Sequence, residues 1–66
     1  MRRYYFELTD ENYNELGAFI PDGSNKQAAV RKAEKWMREN KVSRAMLAVN
    51  SMRTDNLLEV IEIGLA

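Results

Sequence analysis

The clearest pattern of apolar and polar positions lies in residues 24–41, SNKQAAVRKAEKWMRENK. Apolar residues recur there at intervals of three and four, which is typical of a helix that packs on a core along one stripe. We expect the helix to begin at Ser24, with Gln27 completing a capping box, and to end at Asn40 in a left-handed conformation. Its buried face would contain Ala29, Val30, Ala33, Met37 and, as the anchor, Trp36.

A second pattern, strict alternation, occupies residues 2–8, RRYYFEL, and is typical of a half-buried strand. Residues 9–15 are polar and rich in Asp and Asn, and residues 16–21 return to apolar character before ending at a proline. We therefore expect a hairpin of two strands ahead of the helix.

Two more strands are expected after the helix, over RAMLAVNS (44–51) and LLEVIEIG (57–64), joined by a polar loop. The resulting order is ββαββ, an α+β fold in which a four-stranded sheet carries one amphipathic helix on one face. Residues 1–66 would form this single small domain, and the strands joined through the helix are expected to be parallel, with the strand order left open. The sheet residues expected in the core are Tyr4, Phe6, Leu8, Ile20, Leu47, Val49 and Ile61.

Apolar residues also occur on the side of the strands opposite this core. One helix covers only one face of a four-stranded sheet, so the apolar residues of the other face need a partner. We therefore expect homodimerisation, or docking of another protein, through this sheet face or an edge strand. The candidate interaction residues are Tyr5, Phe19, Met46 and Ala48, with either Leu58 and Val60 or Leu57 and Ile61 according to the register of the last strand.

Composition limits the available chemistry. The chain has no histidine and no cysteine, which rules out a disulfide and a Cys/His zinc site and removes the usual general base and nucleophile. We expect a non-catalytic protein without a metal or a cofactor. No apolar run approaches the ~20 residues of a membrane span, and no secretory signal is recognisable, so we expect a cytoplasmic location without membrane contact.

Charge is balanced in total but unevenly distributed. The charged residues within 7–22 are all acidic, whereas most of the charged residues within 26–44 are basic. The alternative function is therefore nucleic-acid binding, in which cations of the N-terminus and the helix would contact phosphates. A solvated outer face is the more usual explanation of charge on the back of an amphipathic helix. The residues concerned are Arg2, Arg3, Arg31, Lys35 and Arg38.

The loop 50–56, NSMRTDN, is the most polar segment after the helix. Loops on a rigid scaffold often carry binding residues, and Asn50, Arg53 and Asp55 are the candidates here for contact with a small ligand or a partner. A simpler reading is that Asp55 pairs with Arg53 and that the loop is only structural.

The front part of the chain also resembles a known family. An aromatic strand, a second strand ending in IPDG (20–23) and a helix beginning NKQAAVRKAEKW are together similar to the front half of HicB-like antitoxin domains, over residues 4–37. Domains of that family carry further glycines and a small-residue turn before the helix, and their outline does not include the strands expected after residue 41. The resemblance implies a small regulatory or partner-binding domain and assigns no residue a role.

Overall fold

The computed structural model describes residues 3–19 and 25–65 of the chain. Its elements follow the predicted order, ββαββ, and the α+β fold with one helix on a four-stranded sheet is confirmed. The bounds of the last two strands agree with the sequence analysis. The elements are β1 (Tyr4–Thr9), β2 (Glu15–Phe19), α1 (Lys26–Glu39), β3 (Arg44–Ser51) and β4 (Leu57–Gly64).

The strands of the sheet lie in the order β2-β1-β3-β4, and each neighbouring pair is antiparallel. The two strands joined through the helix, β2 and β3, therefore run in the same direction, as expected, but β1 lies between them. In the described part of the chain β2 and β4 form the two edges of the sheet.

The core lies between the helix and one face of the sheet, which we call the helix face. From α1 it receives three residues spaced by four, a spacing that keeps them on one stripe of the helix. Two of the three are alanines, so the helix can approach the sheet closely. Tyr4 and Ile61, which were expected here, are half-buried at the margin of the core, and Ile20 lies outside the described residues. The buried apolar residues are Phe6, Leu8, Ala29, Ala33, Met37, Ala45, Leu47, Val49 and Ile63.

Trp36 is not the anchor that the sequence predicts. Met37 is fully buried, whereas Trp36 is only half-buried and packs against the margin of the core. Successive helical residues differ by about 100° in direction, so the two side chains cannot both point at the sheet. Trp36 instead lines a hollow between α1 and β2, beside Gly17 and Ala18.

The helix ends differ by one residue from the prediction at each cap. Asn25 is the N-cap, and its side chain accepts a hydrogen bond from the Ala28 N–H at 2.7 Å; the predicted cap, Ser24, lies outside the described residues. At the other end Lys41, not Asn40, is left-handed, with φ 57°. The N–H of Val42 donates to the carbonyl of Met37 at 2.8 Å, which is the long hydrogen bond of a Schellman motif.

Asp10 holds together the turn between β1 and β2. Its carboxylate accepts hydrogen bonds from the backbone N–H groups of Asn12 and Asn14, at 2.8 and 2.9 Å, and from the Asn14 side chain at 3.1 Å. The hydrogen bonds from Asn14 lower the pKa of Asp10 below its usual value. Tyr13 in the same turn has φ 63° and is exposed.

Candidate interaction surface on the outer face of the sheet

The face of the sheet away from the helix, here called the outer face, is defined by the register of the strands. Glu7 stands opposite Ala48, and Ala48 stands opposite Val60, so the three residues form one row across β1, β3 and β4. Opposite residues of antiparallel strands share a face. Of the two alternatives that the sequence leaves open for β4, Val60 therefore lies on the outer face. Ile61 lies on the helix face, because it stands opposite the core residue Leu47.

An irregularity at the start of β4 decides the positions of Leu57 and Leu58 relative to β3. The register shifts between Val49 and Asn50, so Asn50 stands opposite Leu57, and Leu58 has no opposite residue in β3. Leu57 and Leu58 are 59% and 55% exposed. Both leucines are therefore available to a partner, although alternation alone would have placed them on opposite sides.

Phe19 does not belong to the same row as the other candidates. It stands opposite Phe6 in the register of β1 and β2, and Phe6 is a core residue of the helix face. Tyr5, by contrast, stands opposite Asn50, and Met46 stands opposite Glu62. The structure thus brings together Tyr5, Met46 and Ala48 on the outer face and separates the position of Phe19 from them.

One half of the outer face is polar. The side-chain amide of Asn50 donates to Glu7 Oε1 at 3.1 Å, and Asn50 is only 5% exposed. Next to this pair the Tyr5 hydroxyl donates a hydrogen bond to Asp55. That hydrogen bond, together with burial and nearby negative charge, raises the pKa of Tyr5 to about 12. We call these four residues, Tyr5, Glu7, Asn50 and Asp55, the polar cluster.

The other half of the outer face is mostly apolar and open to solvent, and Glu62, opposite Met46, is its charged residue. Met46 and Ala48 are half-buried on β3, and Val60, opposite Ala48, is 42% exposed. Leu58 lies two residues before Val60 along β4. Each member is thus next to another, along a strand or across the ladder, and we call Met46, Ala48, Leu58 and Val60 the apolar strip.

The apolar strip lies beside the open edge of β4. This strand has eight residues, and in the described part of the chain only one of its two sides pairs with a neighbour. The other edge, β2, has five residues. Short length blunts an edge against further strands, whereas a longer edge with exposed apolar side chains favours their addition.

One ion pair connects this edge to the helix. Lys26 Nζ lies 2.6 Å from Glu59 Oε1, and Glu59 is on the helix face because it stands opposite Val49. The hydrogen bond from Lys26 to Glu59, and the negative charge of that carboxylate, raise the pKa of Lys26 above its usual value. The charge of Glu59 is therefore offset within the chain.

The loop candidates have different environments from one another. The side chains of Asn50 and Asp55 form hydrogen bonds within the polar cluster, and the partner of Asp55 is Tyr5, not Arg53. Ser51 closes the loop: its hydroxyl accepts from the N–H of Arg53 at 3.3 Å and from that of Thr54 at 3.2 Å. Arg53 is exposed as well, and its guanidinium takes no part in these hydrogen bonds.

The basic candidates fall into two groups. Arg31, Lys35 and Arg38 are exposed and follow one another at helical spacing on the side of α1 away from the sheet. Arg3 is exposed just before β1, where its carbonyl accepts from the Met52 N–H at 2.9 Å. Arg2 lies outside the described residues.

A shallow hollow of about 460 Å³ continues the apolar strip beyond Met46. The β1–β2 turn contributes Tyr13 to its wall, and Arg44 and Glu62 contribute charges of opposite sign. Among residues 3–19 and 25–65, no three acidic side chains come close enough together to hold a metal ion.

The polar cluster does not follow from the sequence. Alternation along residues 2–8 puts Glu7 on the side opposite Phe6, but its partner Asn50 lies 43 residues away, where the predicted strand 44–51 and the predicted loop 50–56 overlap. To predict this cluster one must know that β1 and β3 are neighbours, because their pairing sets Tyr5 opposite Asn50. The signal in the sequence is Asn50 itself, a polar residue at the end of an otherwise apolar strand segment.

Comparisons with protein-family models, with curated proteins and with solved structures find no match for this chain. The similarity of residues 4–37 to HicB-like antitoxin domains thus stays a hypothesis. The helix in the described part of the chain is neither long enough nor apolar enough to cross a membrane.

Proposed function

We propose that this protein is a small non-catalytic interaction domain whose partner is a second copy of the same chain, bound through the apolar strip and the adjoining edge of β4. The supporting observation is the contiguity of exposed apolar side chains: Leu57, Leu58 and Val60 are each more than 40% exposed, and Met46 and Ala48 continue the surface inward. Monomeric proteins usually keep such residues scattered.

The size of the chain favours the same function. A domain of 66 residues buries only about 60% of the surface of its unfolded chain, and without cysteines it has no disulfide to support its core. Association of two copies would bury the apolar strip and add to the stability of each. The apolar strip would thus have two roles: it would bind the second copy, and its burial would stabilise the fold.

Sedimentation equilibrium over a wide range of protein concentration, at low and at high salt, tests this function. We expect a dimer whose dissociation constant changes little with salt, because apolar contacts are not screened by ions. Leu58→Lys should shift the protein towards monomer. Met52→Lys is the matched control, since Met52 is 40% exposed in the loop after β3 and lies outside the apolar strip. A parent protein that remains monomeric at high micromolar concentration would contradict the proposal.

Nucleic-acid binding is a second candidate, supported by the exposed stripe of Arg31, Lys35 and Arg38 on α1. In the described part of the chain none of the three lies within 4.0 Å of an acidic side-chain oxygen. The test is binding of a fluorescent single-stranded or duplex DNA across a salt series, with Arg31→Gln as the variant. Affinity should fall steeply as salt rises. If the protein does not bind DNA at low salt, nucleic-acid binding is refuted.

A further inference from the structure

We infer that the hollow between α1 and β2 is a binding site for single-stranded nucleic acid, in which one base stacks on Trp36 and the phosphates beside it contact Lys32 and Lys35. This inference rests on the second candidate function, nucleic-acid binding, and specifies its site and the form of its ligand. The hollow lies at the β2 edge of the sheet, whereas the apolar strip lies on the outer face of β3 and β4, so the two surfaces do not overlap.

The hollow is apolar at its base and large enough for a flat ring. Its volume is about 320 Å³, and sites for small ligands measure about 300 to 1,000 Å³. Leu8 lines it from β1 and Trp36 lines it from α1. Trp36 is half-buried, so part of its indole remains open to solvent. An exposed indole can stack on any base, because every base has a π-face.

Gly17 keeps this hollow open. It stands opposite the core residue Leu8, so a side chain at position 17 would point to the helix face. A Cβ built there would meet no other part of the described chain within 4 Å, and the φ of Gly17 lies outside the left-handed region. The fold itself therefore does not require glycine at this position. A glycine inside a strand often marks a place where a ligand approaches closely.

The cations beside the hollow are not neutralised by the chain. Four exposed cations follow Trp36 round the helix, at about 100° per residue, on the side away from the core. In this order they are Lys32, Lys35, Arg31 and Arg38. In the described part of the chain none of them lies within 4.0 Å of an acidic side-chain oxygen. Glu39 also lines the hollow, but it lies about two turns from Lys32, so this side of the helix has a net positive charge.

A single nucleic-acid strand matches this arrangement in every unit. The cations from Arg31 to Arg38 extend over about 10 Å of the helix axis, so the ligand needs repeated anions as well as a flat ring. Each nucleotide supplies one phosphate and one ring, whereas the acidic side chains of a peptide supply anions without rings. In a duplex the bases are already paired and stacked on one another, so none is free to stack on Trp36.

Fluorescence of the sole tryptophan reports directly on this site. A short single-stranded oligothymidylate, added at low salt, should quench the emission of Trp36. The logarithm of the binding constant should fall against the logarithm of salt concentration with a slope of about −0.7 for each phosphate contacted. An abasic strand of the same length keeps the phosphates but lacks the rings. It should bind about 5- to 150-fold more weakly, the factor that corresponds to one stacked base.

Filling the hollow is the second test, with binding measured by the anisotropy of a labelled oligothymidylate. Gly17→Val should lower the affinity at least about fivefold without lowering the melting temperature, since the new side chain enters open space. Gly64→Val is the matched control, because a Cβ at Gly64 in β4 also meets nothing within 4 Å in the described part of the chain. It should leave the affinity unchanged. Lys32→Gln should reduce the salt slope by about 0.7.

The outcomes separate this inference from the function on which it rests. If the abasic strand binds as tightly as oligothymidylate, or Gly17→Val binds as tightly as Gly64→Val, the hollow takes no base. Nucleic-acid binding then stands and the inference is overturned, as it is if a duplex binds more tightly than a single strand. If an acidic peptide rich in glutamate and tyrosine binds and no nucleic acid does, the hollow is a protein site, and both ideas are wrong. An absence of any binding at low salt also overturns both.

Discussion

In the middle of β3, the two faces of this sheet differ in what covers them more than in the kind of side chain they carry. On β3, Leu47 and Val49 point to the helix face and are fully buried, while Met46 and Ala48 point outward and are half-buried. The strand is thus apolar on both sides. Burial of one side follows from the position of α1, and the other side remains available.

The outer face is itself divided into two halves. The polar cluster occupies one half, on β1, the end of β3 and the loop that follows, and the apolar strip occupies the other, on β3 and β4. In the first half, hydrogen bonds between side chains far apart in sequence fix the geometry of the cluster. The second half is mostly apolar, with Glu62 opposite Met46, and adjoins an open strand edge, which is why we propose that a partner binds there.

The largest expected effect comes from truncating the same residue type on the two faces. Met37→Ala, on the helix face, should lower the free energy of unfolding by about 2 to 5 kcal/mol, since it leaves a cavity in a closed core. Met46→Ala, on the outer face, should cost less than about 1 kcal/mol in the monomer. Urea denaturation at a protein concentration below the dimer range measures both. Equal losses would mean that the outer face is as closed as the helix face.

The next effect tests the polar cluster. Asn50→Asp would replace the amide that donates to Glu7 by a second carboxylate, so it should destabilise the protein by about 1 to 3 kcal/mol near neutral pH. The loss should shrink as the pH falls and one carboxyl of the pair takes up a proton. Thermal unfolding from pH 4 to pH 8 measures this dependence. Asn56→Asp, the same change at an exposed site, is the control, and an equal loss there would remove the polar cluster as the cause.

The sequence predicts the elements of this fold well because their signals are local. Polar segments bound β3 and β4, so their ends are placed to the residue. Each cap position differs by one residue from the prediction. At the N-terminus of the helix, Ser24 and Asn25 are both good N-cap residues, and only the structure shows that Asn25 is the cap. At the other end Lys41 is left-handed although Asn adopts that conformation more readily, because the hydrogen bond from Val42 to Met37 places the turn there.

The site is less predictable because it depends on pairing between distant segments. Alternation places Tyr5, Met46 and Ala48 on the outer face, and the register agrees. It cannot place Leu57 and Leu58, whose positions depend on the shift between Val49 and Asn50. The contact of Tyr5 with Asp55 spans 50 residues and follows only from the neighbouring positions of β1 and β3.

A smaller effect is expected at Trp36, on the margin of the core. If this residue were the anchor, its truncation would cost about 3 to 5 kcal/mol. Because it is half-buried beside a hollow, we expect Trp36→Ala to cost about 1 to 2 kcal/mol, less than Met37→Ala. Circular dichroism in urea is the measurement, since this variant lacks the sole tryptophan. A loss larger than that of Met37→Ala would mean that the helix is rotated about its axis relative to this structure.

The smallest effect concerns the outer face alone and is best seen as a titration. The Tyr5 hydroxyl donates to Asp55, so the protonated tyrosine is favoured, and its pKa is raised from 10.0 to about 12. Stability from this contact is therefore fully present below pH 10 and is lost as the pH rises through about 12. Ultraviolet titration of the tyrosines, followed together with circular dichroism, should show one late-ionising group that is absent from Tyr5→Phe. Asp55→Asn should move that group back towards 10 without disturbing the turn, because Asn tolerates the φ of 63° at this position. If Tyr5→Phe removes no late-ionising group, the hydroxyl is not held by Asp55, and nothing then distinguishes the polar half of the outer face at Tyr5 from open surface.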